Sequence, residues 1–209
     1  GRRDERDLKT EVRKIKNDWL SEWMPLLTSD EIPINPYRII WDLMHCVDRS
    51  QTIVTHDSGH PRDQTIPFYE TTTPRGYLGW GNSSQLGYGL GIAMGAKLGA
   101  PEKLVVNIMG DAAIGMAGMD IETATRHNIP ILTIVFNNHV LSGYSKNYPV
   151  ATEKFGFTNL YGEYADLAKS LGAYSERIDA PGQIIPGIGR AKKAMHEGRP
   201  ALLEFMTKE

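Results

Sequence analysis

Cysteine is nearly absent from this 209-residue chain, which carries Cys46 alone. No internal disulfide can form, and that fits a reducing cytoplasm. Long apolar runs are missing as well, since none reaches the roughly 20 residues that a bilayer-spanning helix needs. The opening Gly1-Arg2-Arg3-Asp4-Glu5-Arg6 is followed by no apolar signal core. Charge of one sign is not in excess: 23 Lys and Arg stand against 25 Asp and Glu, a net charge of −2. That balance gives no electrostatic ground for a nucleic-acid or membrane partner. The sequence has no internal repeat and no low-complexity tract. What is present is ordinary for one globular domain with a sizeable core, 41% hydrophobic and 23% charged residues. The 21 glycines stand out, because they crowd between Gly76 and Gly118, where the backbone is expected to approach something closely.

Hydrophobic periodicity carries the fold. Leu8, Val12, Ile15, Trp19 and Trp23 recur at three- and four-residue steps, the stripe of an amphipathic helix with a charged, solvated opposite face. Residues 1–30 are therefore expected to be an interdomain linker helix, and residues 31–209 the domain. Asn35-Pro36 reads as an N-cap with proline in the first turn, opening a helix to about Val47 that buries Ile39, Ile40, Leu43 and Met44. Beyond it, short apolar strands at 52–55, 104–109, 131–136, 174–178 and 201–205 alternate with helices at 85–98, 116–127, 164–171 and about 184–197. Alternation of this kind predicts an α/β fold, a three-layer α/β/α domain around a mainly parallel, roughly six-stranded sheet. In such sheets ligands sit beyond the carboxyl ends of the strands.

Two of those ends hold unusual residues. One reads Met109-Gly110-Asp111-Ala112-Ala113 and the other Phe136-Asn137-Asn138-His139-Val140. A short acidic turn between strand and helix offers backbone N–H groups to a phosphate and a carboxylate to a cation. Mg²⁺ takes about six oxygens, a few from protein and the rest from phosphate and water. Asp111 can give one oxygen, the Asn138 amide a second and a nearby backbone carbonyl a third. The plainer alternative is an ordinary strand–turn–helix with Asp111 as N-cap and Asn138 as a turn residue.

The segment from Gly110-Asp111-Ala112 to Asn137-Asn138 resembles the motif of thiamine-diphosphate enzymes, which begins Gly-Asp-Gly and ends Asn-Asn. Its spacing, 138 − 111 = 27, and the interior Ile121-Glu122-Thr123-Ala124-Thr125-Arg126 with Asn128-Ile129-Pro130 are similar to the acetolactate synthase branch. The resemblance implies a thiamine-diphosphate-binding fold in which Asp111 and Asn138 ligate Mg²⁺ by side chain and Val140 by its main-chain carbonyl. It implies that Gly110, Ala112 and Ala113 lie against the diphosphate. Ala112 stands where the family has glycine, at a cost of about 1 kcal/mol only if the position needs a positive φ.

Upstream, Thr55-His56-Asp57-Ser58-Gly59-His60 resembles the family segment ending in a diphosphate-contacting Gln-His, so Ser58, Gly59 and His60 join the candidate site. Gly59 replaces the usual Gln, and His56 and Asp57 flank the site, where they could reach cofactor or substrate, without a spacing argument for either. In Gly81-Asn82-Ser83-Ser84-Gln85-Leu86, the resemblance puts Ser84 and Leu86 against the pyrimidine, Leu86 as the wedge that bends the cofactor toward its ylid. Core packing explains Leu86 equally well. The following Gly87-x-Gly89 lacks the last glycine of a dinucleotide fingerprint and has no clear strand before it. A nucleotide-binding oxidoreductase is thus a weaker alternative, as is a non-catalytic assembly or regulatory module.

The family's activating Glu comes from a separate pyrimidine-binding domain, of the same or another subunit, and no second domain is legible. The chain is thus expected to be a fragment or split subunit, catalytically silent alone, of a homodimer or homotetramer acting on a 2-ketoacid or acyl-CoA. No catalytic residue is assigned within it. The Trp of true acetolactate synthases is absent from Lys146-Asn147-Tyr148, and Tyr144, Lys146 and Tyr148 either line the substrate channel or, the favoured reading, lie on a solvated loop.

Overall fold

The computed structural model describes residues 5–81 and 85–209, with side chains from Leu8 onward. Its strands are β1 (Thr52–His56), β2 (Tyr77–Leu78), β3 (Leu104–Gly110), β4 (Leu132–Asn137), β5 (Tyr174–Ile178) and β6 (Ala201–Met206). They form one sheet in the order β2-β1-β3-β4-β6-β5, parallel throughout. The helices are α1 (Glu5–Leu27), α2 (Pro36–Cys46), α3 (His60–Thr65), α4 (Tyr88–Gly99), α5 (Asp111–Ala117) and α6 (Asp120–Arg126). They continue with α7 (Tyr144–Asn147), α8 (Pro149–Phe155), α9 (Tyr164–Ser170) and α10 (Ile184–His196).

Alternation along the strands separates two cores, because successive side chains leave opposite faces of a sheet. Val106, Ile108, Ile134, Phe136, Leu203 and Phe205 pack with α1, α2 and α10 on one face. Val105, Met109, Val135 and Leu202 pack with α4, α5, α6 and α9 on the other. The three-layer α/β/α architecture expected from the sequence is the one observed. Among the described residues no helix is long and apolar enough to cross a membrane.

The apolar stripe of α1 divides in two. Leu8, Val12 and Ile15 are exposed, whereas Leu27 is fully buried. Between them Trp19 stacks on Phe68 at 4.9 Å and Trp23 meets Tyr37 edge-on at 5.2 Å, so the C-terminal half of the helix is built into the first core. At α2 the cap forms as the sequence suggests, with the Asn35 Oδ1 accepting from the Tyr37 N–H at 3.1 Å.

Two expectations need correction. The helix expected from residue 85 begins at Tyr88, because Gly87 takes φ +96, a left-handed conformation no helix interior accepts. The helix expected at 116–127 begins at Asp111 and breaks at Gly118-Met119 into α5 and α6. A Cβ at Gly118 would lie 2.7 Å from the Ile114 carbonyl oxygen, so glycine permits the close turn there. The sixth strand, β2, is two residues long and pairs Tyr77 and Leu78 with Val54 and Thr55, too short for periodicity to reveal.

The strand order fixes where a ligand can sit. From β1 the chain goes to β2 on one side and then to β3 on the other, so the loops after β1 and β3 part and leave a crevice.

Candidate functional site

An open cleft occupies that crevice. The end of β1 contributes Ser58, Gly59 and His60, and the end of β3 contributes Gly110, Asp111, Ala112 and Ala113. The turn after β4 adds Asn138 and Val140, and the loop before α4 adds Leu86. Four separate segments thus bring every candidate site residue to one cavity except Ser84, which lies outside the described residues.

Asp111 is the first residue of α5 and is only 4% exposed. Its Oδ1 accepts from the Ala112 N–H at 2.8 Å and its Oδ2 from the Asn138 N–H at 3.3 Å, tying the β3 and β4 turns together. Burial pushes its pKa up, and the backbone donors of Ala112, Asn138 and His139 oppose that shift. No Lys or Arg among the described residues pairs with it. A buried carboxylate with backbone donors but no basic side chain is a place suited to a cation. Ala112 lies in helical backbone and is not among the residues of positive φ, so replacing the family's glycine costs nothing here.

The β4 turn is wound tightly around Asn138. Its Oδ1 accepts from the Val140 N–H at 3.0 Å, and its Nδ2 donates to the Ser142 Oγ at 2.8 Å. Ser142 in turn donates to the Val140 carbonyl at 3.3 Å. His139, at φ +58, supplies the left-handed step that lets the chain double back. The side-chain oxygen of Asn138 and the carbonyl of Val140 are therefore held in one short loop facing Asp111.

Behind this loop lies a pair that sequence reasoning missed. Asn137 and Glu204 are both fully buried. The Asn137 Nδ2 donates to the Glu204 carboxylate at 2.6 Å and to the Gly162 carbonyl at 3.2 Å, while its Oδ1 accepts from the His139 N–H at 3.1 Å. The other Glu204 oxygen accepts from the Ala165 N–H at 2.9 Å. No motif could reveal this pair, because its two members are 67 positions apart.

At the end of β1, Gly59 has φ +82 and ψ −151, outside the range of L side chains, which accounts for glycine where the family often has Gln. His60 does not lie in a loop. It opens α3, with Pro61 in the first turn, and the helix aims it into the cleft. His56 and Asp57 do not line the cleft. Asp57 is fully buried, and its carboxylate accepts from the N–H groups of Ser58 (2.7 Å), Gly87 (3.0 Å) and Gly89 (2.9 Å), capping α4. Those are the N–H groups a dinucleotide phosphate would need, so the glycine segment is packing chemistry. A Cβ at Gly89 would come within 2.5 Å of Asn107 and 2.9 Å of Asp57. His56 is buried between Tyr77 and Tyr88, and desolvation lowers its pKa.

Leu86 lines the cleft and packs against the core that holds Ala113 and Ile114. The stretch expected to be a solvated loop instead forms α7 and α8, and Tyr144 reaches the cleft wall, whereas Lys146 and Tyr148 do not.

The family model for thiamine pyrophosphate enzymes, C-terminal TPP binding domain, matches residues 57–205, from the end of β1 to β6. The chain belongs to that family. It is 30% identical over 87% of its length to a probable acetolactate synthase large subunit of Methanococcus aeolicus, covering 31% of that protein. It is 28% identical to the sulfoacetaldehyde acetyltransferase of Alcaligenes xylosoxydans xylosoxydans over 83% of the chain and 29% of the relative. With the 2-hydroxyacyl-CoA lyase of Arabidopsis thaliana it shares 32% identity over 59% of the chain and 22% of the relative. The chain thus spans about a third of the length of the acetolactate synthase relatives it matches. Transferases and lyases both occur among these thiamine pyrophosphate enzymes.

Proposed function

We propose that the cleft holds thiamine diphosphate through Mg²⁺, with Asp111 and Asn138 as side-chain ligands and Val140 as a main-chain ligand. The observation that carries this reading is the convergence of four sequence-distant segments on one cavity around Asp111 and Asn138. The donor set suits the ion: one carboxylate, one amide oxygen and one carbonyl are hard ligands, leaving further positions for phosphate oxygens and water.

The diphosphate lies against Ser58, Gly59 and His60 on one side and the Gly110–Ala113 turn on the other. Leu86 would contact the ring system, a role that the family resemblance extends to Ser84. Bound thiamine diphosphate supplies a nucleophilic carbon and an electron sink, which suits decarboxylation of a 2-ketoacid followed by acyl transfer or C–C bond formation. This chain's residues anchor, orient and shield. The Asn137–Glu204 pair holds the metal turn in place, and Tyr144 forms part of the cleft wall. Activation would require an acidic residue from a pyrimidine-binding domain of the same or another subunit, within a homodimer or homotetramer. Cytoplasmic residence fits the single cysteine.

CO₂ release from a panel of 2-ketoacids, with thiamine diphosphate and Mg²⁺, tests the reaction class. The chain alone should release none, and it should release CO₂ once assembled with a pyrimidine-binding domain. Silence of that assembly on every 2-ketoacid would overturn the decarboxylase reading.

A further inference from the structure

Three neighbouring strands end at this cleft, and only two of their ends have been given a role. Gly110 of β3 is level with Phe136 of β4, and Asn137 of β4 is level with Met206 of β6. Continuing each strand by one residue brings Asp111, Asn138 and Thr207 to the same edge of the sheet. The Thr207 N–H donates to the Asn137 carbonyl at 2.9 Å, which fixes Thr207 beside the metal turn. Thr207 also lines the cleft. It is 4% exposed, and its buried Oγ1 has no hydrogen-bond partner among the described residues.

A buried hydroxyl without a partner costs stability, and such groups are rare in folded proteins. Nothing in the packing demands a hydroxyl here, since valine has the same shape and would avoid the penalty. The orphan is satisfied if a ligand in the cleft brings an acceptor to it. At the depth of Asn138 and Asp111, the acceptors of a bound cofactor are phosphate oxygens. Resting on the cofactor reading above, we infer that Thr207 is a third strand-end contact for the diphosphate, its hydroxyl donating to a phosphate oxygen. The sheet then presents a metal ligand from β3, metal ligands from the turn after β4 and a neutral donor from β6, in one row.

Calorimetric titration of the full chain with thiamine diphosphate, inorganic diphosphate and thiamine, each with Mg²⁺, tests the inference on Thr207→Val and Thr207→Ser. Thr207→Val should weaken both phosphate-bearing ligands about tenfold, as expected for one hydrogen bond to a charged acceptor. It should leave thiamine unchanged, and the unliganded Tm should equal or exceed that of the wild type. Thr207→Ser should bind close to wild type. The inference is overturned if Thr207→Val binds both diphosphates as the wild type does, or if its weakening comes with a lower unliganded Tm or with an equal loss for thiamine. A wild-type chain that binds neither diphosphate sinks the cofactor reading and this inference with it. A wild-type chain that binds while Thr207→Val binds equally sinks the inference alone.

Discussion

Within β6 the Glu204 carboxylate is fully buried, and both of its oxygens are used, one by Asn137 and one by the Ala165 N–H. Replacing it with Leu keeps most of the volume but strands two buried donors, each worth about 1–3 kcal/mol when left unpaired. Glu204→Leu should therefore cost ~2–4 kcal/mol in urea unfolding. It should also loosen the turn that carries Asn138 and Val140, weakening Mg²⁺-dependent binding beyond what the lost stability explains. At this scale the sequence was legible where chemistry is local. Asp111 and Asn138 stand out because an acidic turn and an amide turn end two strands of known spacing. Asp57, Glu204 and Thr207 were silent because their roles depend on partners far along the chain: Gly87 and Gly89 for Asp57, Asn137 for the other two. A buried carboxylate in a strand pattern looks like a solvated one until the neighbouring strand is known.

Among the elements, α1 shows how docking and charge combine. Its stripe was readable as amphipathic, yet periodicity alone could not say that only the half from Trp19 onward finds a partner. Near the middle of that helix, Lys16 pairs with Glu70, and Arg49 reaches the same carboxylate at 3.3 Å. These cations, Lys16 first, hold the Glu70 carboxyl below its ordinary value of 4.5. Because the folded pKa is depressed, the stability this pair adds is fully present above pH 4.5 and is lost as pH falls through the lower folded value. The groups are partly exposed, so the effect should stay below about 1 kcal/mol and shrink with salt. Acid titration followed by tryptophan emission should show a salt-sensitive change below pH 4.5 that Glu70→Gln lacks. A change of equal size in Glu70→Gln would assign it elsewhere. The misplaced helix starts share one cause, for the left-handed Gly87 and the Gly118 break are backbone decisions that a hydrophobic pattern does not record.

For the whole molecule, alternating apolar strands and helices revealed the layer architecture, since a parallel sheet covered on both faces leaves a near-continuous apolar run in each strand. The order of the strands was not legible, because it is set by how helices pack across the two faces. That order creates the crevice after β1 and β3, and so the cleft that gathers Ser58, Gly59, His60 and the Gly110–Ala113 turn with Asn138 and Val140. Asp111 is central to the account, as the buried carboxylate that links the β3 and β4 turns. Isothermal titration of thiamine diphosphate into the wild type and Asp111→Ala, with and without Mg²⁺, tests it most directly. The account predicts binding by the wild type that requires Mg²⁺ and is lost in Asp111→Ala while the variant stays folded. Asp111→Ala binding as tightly as the wild type, or wild-type binding indifferent to Mg²⁺, would contradict it.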